Sequence, residues 1–243
     1  MKSYERPTTQ ILPENLPVIL RLDGRAFHSF CRNLEKPFDA TFIEMMNRIG
    51  LRLCEEIQNA ALAYIQSDEI SVLIRKKWGS SSWFRNNLQK IVSVSASLAS
   101  QEATSYCMTH KWNEGKAAIF DARAFVLPPR DVNNYFLWRQ LDCSRNSIQM
   151  LARSLYSHKD LKNKNQEDVH EMIFQKGLNW NDLPTHQRRG RCLVYRQEMK
   201  PVENEYFTGE VLRGSWVVDN EIPKFSQDRG YINDLRTDEM EIE

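Results

Sequence analysis

The sequence predicts an α+β fold, in which an antiparallel split βαβ sheet carries helices on one face and precedes a mainly helical C-terminal extension. Over the first 130 residues, patterns typical of strands and helices follow the order strand, helix, strand, strand, helix, strand. This is the element order of a split βαβ unit. Pro128 and Pro129 interrupt the last strand, and helical patterns dominate the residues that follow. Hydrophobic residues make up 41% of the 243-residue chain, enough for a buried core.

The first strand and the first helix have the plainest patterns. Residues 17–22 form an apolar run that stops at Asp23 and Gly24, as expected of a buried strand ending in a polar turn. Between residues 39 and 58, large apolar residues recur at spacings of three and four, which predicts an amphipathic helix. Asp39 stands directly before this pattern, where a helix needs an N-cap.

The next three strands and the second helix complete the sheet. Residues 61–65 and 70–74 are typical of strands, and the polar residues 66–69 between them predict a hairpin with a tight tip. A helix is expected from about residue 83 to 110, and a strand over 117–127.

The chain beyond residue 130 is expected to be helical at first and mixed later. Helices are predicted over 131–157 and 166–176, and the polar segment 158–166 between them predicts a mobile loop. From about Arg191 the pattern indicates short strands separated by loops.

Composition narrows the class of protein. The formal net charge is +1, from 33 basic and 32 acidic residues, so the overall charge gives no support for a nucleic-acid partner and does not exclude one. The five cysteines are scattered without a CxxC pair, which argues against a disulfide framework or a zinc site. No segment approaches the ~20 apolar residues of a membrane span, and the start lacks a signal core. We expect a soluble, cytoplasmic protein with no membrane partner.

Acidic residues at two strand ends are the candidates for catalysis. Asp23 follows the first strand, and Asp68 with Glu69 occupies the hairpin tip. These strands are neighbours in a split βαβ sheet, so the carboxylates are expected to converge, and close carboxylates need a cation between them. Mg²⁺ suits such oxygen ligands, and a pair of these ions catalyses phosphoryl displacements. The alternative interpretation is that they are ordinary turn acids, since Asp is favoured in turns.

Basic residues and a turn are candidates for binding phosphates. The backbone of residues 23–28 forms a turn in which Gly24 permits close approach. A histidine such as His28 is more often a packed or surface residue than a ligand, since neutral His packs readily. Three further residues are either phosphate clamps or solvated charges: Arg21, Lys36 and Lys90.

A basic cluster near the C-terminus is a candidate for contacts with RNA. Arg188, Arg189 and Arg191 lie close together in sequence, and with four upstream lysines they could form a footprint for a phosphate backbone. The alternative is a solvated face balanced by acidic neighbours.

Four motifs in this order closely resemble the tRNA(His) guanylyltransferase superfamily. They are RLDGRAFH at 21–28, EKPFD at 35–39, AYIQSDE at 63–69 and FDAR at 120–123. The resemblance covers most of residues 18–150.

The resemblance implies a fold, a reaction and partners. It implies a polymerase palm-like (ferredoxin-like) catalytic domain over residues 1–130 and an extension over 131–243 that supplies tRNA and oligomer contacts. Family members activate the 5′-phosphate of tRNA with ATP or GTP. The 3′-hydroxyl of an incoming nucleoside triphosphate then displaces the activating group, so the chain grows in the 3′-to-5′ direction. Two Mg²⁺ ions and a homotetramer are also implied.

The resemblance also assigns roles to individual residues. Asp23, the Gly24 carbonyl and Asp68 are the implied metal ligands, and Glu69 is the supporting catalytic carboxylate. The implied nucleotide-binding residues are Arg21, Asp23, Gly24, Arg25, Ala26, Phe27, His28, Lys36, Ser67, Asp68 and Lys90.

One segment departs from the eukaryotic pattern. Eukaryotic members carry a His-Ile-Asn-Asn-Leu-Tyr-Asn stretch where this chain has residues 144–150, which keep only Asn146. The departure resembles the bacterial and archaeal branch, whose members repair 5′-truncated tRNAs by template-directed addition. Asn146 joins Arg188, Arg189 and Arg191 as a candidate tRNA contact. Three alternatives remain: guanylate addition to tRNA(His) as the main role, a nucleotide cyclase-like enzyme on the same palm, and a non-catalytic RNA-binding module.

Overall fold

The computed structural model describes residues 1–77, 79–204 and 207–234. Its strands, in chain order, are β1 (Val18–Gly24), β2 (Ala60–Gln66), β3 (Glu69–Ile74), β4 (Phe120–Val126), β5 (Arg191–Asn204) and β6 (Phe207–Asp219). They form one antiparallel sheet with the spatial order β4-β1-β3-β2-β5-β6.

Helices connect and cover these strands. In chain order they are α1 (Lys2–Glu5), α2 (Phe27–Phe30), α3 (Ala40–Glu56), α4 (Leu88–Thr109), α5 (Pro129–Leu155), α6 (His158–Leu161), α7 (Gln166–Gln175), α8 (Thr185–Arg189) and α9 (Gly230–Asn233). The order β1, α3, β2, β3, α4, β4 confirms the predicted split βαβ arrangement. In the part of the chain that the structure describes, no helix is both long and apolar enough to cross a membrane.

The sheet is covered on both faces. Helices α3 and α4 pack on one face, where Leu20 and Val72 of the sheet contact a core that includes Met46. Helix α5 packs on the other face, where Leu73 of β3 and Phe136 of α5 share a second core. The predicted palm helices therefore lie on one face, and the first helix of the extension covers the opposite one. This explains why β2 and β3 are buried along their whole length.

Helix α3 begins where its cap was predicted. The Asp39 Oδ1 atom accepts a hydrogen bond from the Phe42 N–H at 2.8 Å, which satisfies a backbone donor that the first turn leaves free. Met45, Met46 and Ile49 are fully buried against the sheet, so the apolar stripe faces the core as expected.

Helix α4 begins later than predicted. It starts at Leu88, because Phe84, Arg85 and Asn86 have positive φ angles that a helix does not accept. Asn87 caps the helix through a hydrogen bond from the Lys90 N–H at 3.0 Å.

Two predictions for the C-terminal extension were wrong. The segment 158–166 contains the helical turn α6, because Ser157 and Asp160 form a capping box. The short strands expected after Arg191 are instead the long hairpin β5–β6. Strand β5 pairs with β2, with Leu193 opposite Ala63, so residues on both sides of position 130 build one sheet. The division into two domains at that position stays a prediction.

Candidate active site

The register of the sheet places the predicted acids side by side. Asp23, near the end of β1, lies opposite Glu69 of β3 on one side and Asp121 of β4 on the other. Asp68 occupies the tip of the β2–β3 hairpin, and its carbonyl accepts a hydrogen bond from the Gly24 N–H at 3.2 Å. The structure thus brings Asp23, Asp68 and Glu69 together, although Asp23 and Asp68 are far apart in sequence.

These carboxylates destabilise one another's charged forms. Burial, followed by the charges of Glu69, Asp68 and Asp121, raises the pKa of Asp23 to about 6, and only Arg21 opposes the shift. Burial and the Glu69 charge also raise the pKa of Asp68, against hydrogen bonds from its own backbone and from Ser67. Such a cluster is stabilised when a cation binds it.

Glu69 is held by an arginine that was not among the predicted site residues. Arg139 of α5 forms a two-pronged ion pair with it, with Nε 2.8 Å from Oε1 and Nη2 2.7 Å from Oε2. Both residues are buried, at 7% exposure each. The Gln66 amide donates a third hydrogen bond to Oε1 at 3.2 Å. Glu69 is therefore a fixed, fully engaged carboxylate.

One sequence feature would have identified Arg139. Helix α5 buries Val132, Tyr135, Phe136 and Cys143 at helical spacing, and Arg139 occupies the same stripe. A charge on an otherwise apolar helical face needs a buried partner. The partner remained unknown, because nothing local shows which carboxylate lies opposite.

The remaining acids fit a divalent cation shared with a substrate. Within residues 1–77, 79–204 and 207–234, no three His, Cys, Asp or Glu side chains are arranged to hold a metal ion by themselves. Mg²⁺ does not require this, since it keeps several waters and takes oxygens from substrate phosphates. With Glu69 engaged by Arg139, the carboxylates of Asp23 and Asp68 are the ones available to such an ion.

The predicted phosphate turn is partly used by the protein itself. The N–H groups of Gly24 and Arg25 donate to the Asp68 and Ile119 carbonyls, so these two donors are engaged within the protein, and the role of both residues in binding nucleotide stays a prediction. The N–H groups of Ala26, Phe27 and His28 have no such partner in the described chain.

Gly24 and Phe27 serve packing as well as the turn. A Cβ atom on Gly24 would lie 2.4 Å from the Phe27 ring, so a larger residue does not fit there. The Phe27 ring is 4% exposed and packs 5.0 Å from the ring of Phe120. The Phe27 side chain therefore belongs to the core, and only its backbone is available to a nucleotide.

Arg21 lies within reach of the acids, and Lys90 does not. The Arg21 Nε atom is 3.8 Å from the Asp23 Oδ2 atom and is buried without a hydrogen-bond partner. Lys90 lies in the first turn of α4, ten residues before Ser100, whose hydroxyl binds the Phe120 N–H beside the site. Ten helical residues span about 15 Å. The structure therefore does not bring Lys90 to the acids, because α4 starts at the far end of the sheet.

A cavity of about 380 Å³ opens beside Ser67 at the hairpin tip. One wall is formed by His28 and by residues 31–39 with the start of α3, and the other by α5 and α8. His28, Lys36 and Ser67, predicted to bind nucleotide, line it together with Asn146 and Arg191, which were predicted to bind tRNA.

The basic cluster does not form one exposed footprint. Arg191 is only 3% exposed and lines the cavity, so it is not part of an exposed basic surface, and its contact with tRNA stays a prediction. Arg188 lies 5.9 Å from the centre of the Trp180 ring, and the Arg189 carbonyl accepts a hydrogen bond from the Tyr64 hydroxyl. The turn at Gly190 separates these two arginines from the buried one.

A sheet of this topology, with acids at its hairpin and a cavity beside them, is the arrangement of palm-class enzymes, which include nucleotidyltransferases. The family model for tRNAHis guanylyltransferase (Thg1) matches residues 1–128. A probable tRNA(His) guanylyltransferase of Drosophila melanogaster is 32% identical over 215 residues, which cover 81% of this chain and 72% of that protein. The chain belongs to the tRNA(His) guanylyltransferase family.

Solved structures show the same fold. A bacterial tRNA(His) guanylyltransferase (Thg1)-like protein in complex with ATP has a TM-score of 0.86 and 42% identity, with 97% of this chain and 96% of that chain covered. A bacterial Thg1-like protein in complex with GTP has a TM-score of 0.77 and 40% identity over the same shares. The tRNA(His) guanylyltransferase of Saccharomyces cerevisiae, at 22% identity and a TM-score of 0.67, covers 88% of this chain and 96% of that chain and shares the fold. The predicted superfamily and branch are confirmed.

Proposed function

We propose that this enzyme repairs truncated tRNA by template-dependent 3′-to-5′ addition of nucleotides to the 5′ end. In the first step, an oxygen of the tRNA 5′-phosphate attacks the α-phosphorus of ATP or GTP, and pyrophosphate leaves. In the second, the 3′-hydroxyl of an incoming nucleoside triphosphate attacks the activated 5′-phosphate, and AMP or GMP leaves. The observation that carries the proposal is the meeting of Asp23 and Asp68 at the hairpin tip, where the neighbouring residue Ser67 lines a cavity large enough for a nucleotide.

Asp23 and Asp68 would hold two Mg²⁺ ions, with the Gly24 carbonyl as a further ligand. The raised pKa of Asp23, to about 6, supports this role, since a cluster of repelling carboxylates gains stability from a cation. When bound, the ions neutralise charge on the transferring phosphoryl group and its leaving group. Arg21 and the free N–H groups of residues 26–28 would bind the remaining phosphate oxygens.

The cavity would hold the activating nucleotide. Its volume, about 380 Å³, falls in the range of roughly 300–1,000 Å³ that is typical of small-molecule sites. The bacterial relatives bound to ATP and GTP support this assignment. Asn146, Ser147 and Met150 of α5 line the cavity, and they belong to the segment that departs from the eukaryotic pattern. This supports a change in substrate choice relative to those enzymes.

The activity is tested with a 5′-monophosphorylated tRNA that lacks its first nucleotide, labelled at an internal position. With Mg²⁺, ATP and all nucleoside triphosphates, we expect one nucleotide to be added, complementary to the opposite strand. Asp23→Asn and Asp68→Asn are expected to lower the rate by at least roughly a hundredfold, as removal of electrostatic stabilisation does. Asp131→Asn is the matched control, because Asp131 lies in the first turn of α5, which follows the far end of β4.

Each alternative predicts a different product. If full-length tRNA(His) accepts an extra 5′ guanylate and truncated tRNAs react far more slowly, maturation of tRNA(His) is the main role, in keeping with the names of the curated relatives. A cyclic nucleotide formed without RNA would indicate a cyclase. Unchanged function in both Asp→Asn variants would indicate a non-catalytic RNA-binding module.

Metal binding is tested separately from activity. A ligand that binds only the folded state stabilises it, by about 2.7 kcal/mol at a hundred times its Kd. We expect Mg²⁺ with ATP to raise the melting temperature of the wild type and of Asp131→Asn, and to raise that of Asp23→Asn much less. Equal shifts in all three proteins would argue against the proposed ligands.

A further inference from the structure

Arg191 at the start of β5 is a buried cation without a counter-ion. Its side chain is 3% exposed, and in the described part of the chain no carboxylate oxygen lies within 4.0 Å of its guanidinium nitrogens. Burial lowers its pKa to about 10, so it stays charged at neutral pH. Burying a charge without an ionic partner is costly, so a position of this kind calls for an explanation.

The protein holds this guanidinium from one side only. Its Nε atom donates to the Asn47 Oδ1 atom, and its Nη2 atom donates to the Ile43 carbonyl at 3.0 Å, both on α3. These partners are neutral. The two hydrogens on Nη1 and the second hydrogen on Nη2 have no partner among the described residues, and the residue lines the cavity. Arg191 therefore offers fixed, unused donors to whatever occupies that space.

The backbone before Arg191 fixes this placement. Gly190 has a φ of +79°, and a Cβ atom there would lie 2.6 Å from the Ile65 carbonyl oxygen and 2.7 Å from the Tyr64 hydroxyl. The chain thus lies against β2 as closely as glycine allows, and the next residue, Arg191, pairs with Ile65 in the sheet. The donors are positioned by the sheet and by α3, and not by a mobile surface segment.

The surroundings suit a flat heterocycle together with its phosphates. Phe42, Ile43 and Met150 line the same cavity and present apolar surface that suits a base, and basic side chains such as Lys36 and Arg153 elsewhere in the lining suit the phosphates of the same nucleotide. Two acids line that wall: Glu35 is exposed to solvent, and Asp39 is already engaged, since its two oxygens accept the Phe42 and Glu35 N–H groups. The rigid planar fork of an arginine matches the acceptors on the edge of a purine, where N7 is common to adenine and guanine.

We propose that Arg191 donates a hydrogen bond to N7 of the purine ring of the activating nucleotide and makes the cavity selective for purine over pyrimidine triphosphates. This inference rests on the proposed function, because it requires the nucleotide to occupy the cavity. It assigns a specificity-determining residue outside the motifs that bind phosphate and metal.

The test is a double-mutant cycle in which one side chain of the protein and one atom of the ligand are each replaced. Affinities of ATP, 7-deaza-ATP and CTP, each with Mg²⁺, are measured by calorimetry for the wild type, Arg191→Met and Arg52→Met. Replacing N7 by a C–H group is expected to weaken binding to the wild type by roughly tenfold, the size of one hydrogen bond to a charged group. In Arg191→Met, ATP and 7-deaza-ATP should bind equally. Arg52→Met, which loses a surface arginine paired with Glu56, should behave as the wild type does.

Three outcomes would overturn the inference. If the wild type binds 7-deaza-ATP as tightly as ATP, Arg191 does not bind N7, while the proposed function stands. This comparison uses the wild-type protein alone, so it does not depend on whether a variant folds. A uniform loss of all three ligands in Arg191→Met would identify a phosphate contact instead. If the wild type binds none of the three, the nucleotide site of the proposed function fails as well.

Discussion

The ion pair between Glu69 and Arg139 makes a quantitative prediction. The side chains of Arg139 and Glu69 are 8% and 9% exposed, and their two contacts of 2.8 and 2.7 Å are charge-assisted hydrogen bonds. Replacing Arg139 by Met removes the cation and leaves Glu69 buried without its main partner. Breaking a buried pair in this way costs about 3–5 kcal/mol. We therefore expect Arg139→Met to lower the free energy of unfolding by about that amount.

A matched surface arginine provides the control. Arg145 lies on the same helix and pairs with Asp142 at 3.1 Å, but its side chain is 61% exposed. Exposed pairs of this kind contribute about 0–1 kcal/mol, so Arg145→Met should change stability little. Urea unfolding followed by circular dichroism measures both variants.

A second substitution separates the buried charge from the lost packing. In the double variant Arg139→Met with Glu69→Gln, the uncompensated carboxylate is gone, so part of the lost stability should return. If Arg139→Met costs no more than Arg145→Met, the ion pair does not stabilise the site as the geometry indicates. If the double variant is no more stable than the single one, the loss comes from packing and not from the unpaired charge.

Two further predictions concern the acids and the turn beside Arg191. The pKa of Asp23 is raised from 3.8 to about 6 in the folded protein, so protonation favours folding and its stabilising contribution is lost as the pH rises through about 6. In metal-free buffer, Asp23→Asn should therefore raise the free energy of unfolding at pH 7.5 by no more than roughly 1 kcal/mol after solvent screening, measured as a higher melting temperature, and leave it unchanged below about pH 4. A variant less stable than the wild type at pH 7.5 would contradict this. Gly190→Ala should cost several kcal/mol in urea unfolding, because its Cβ would overlap β2, whereas Gly177→Ala, with a φ of +75° and open space, should cost about 1 kcal/mol. Equal losses of stability in the two variants would show that the positive φ angle alone, and not the contact with β2, sets the cost of the substitution.

Local patterns were sufficient for the parts of the fold that depend on neighbours in sequence. The stripe of Met45, Met46 and Ile49 and the cap at Asp39 predicted α3, because helical periodicity and capping involve residues within one or two turns. The polar tip at Ser67 and Asp68 predicted the β2–β3 hairpin in the same way.

Two predictions of helix position failed because backbone geometry and capping, and not the polarity of the residues, set where a helix forms. The start of α4 moved to Leu88 because three residues before it adopt positive φ angles, and residue type does not reveal this. The polar segment after Ser157 formed a helical turn because its cap outweighs its lack of apolar residues.

The sequence by itself determined the order of the elements and the meeting of Asp23 with Asp68 and Glu69, because a hairpin beside the first strand leaves one arrangement of these strand ends. The tertiary structure alone decided where the basic residues lie and what they contact. Arg139 reaches Glu69 across 70 positions, and Arg191 reaches Asn47 across 144. Lys90 stays at the far end of α4. These contacts arise from the packing of α3 and α5 on opposite faces of the sheet. The hydrophobic pattern of each segment predicts that one of its faces is buried, but it does not predict which other segment covers that face.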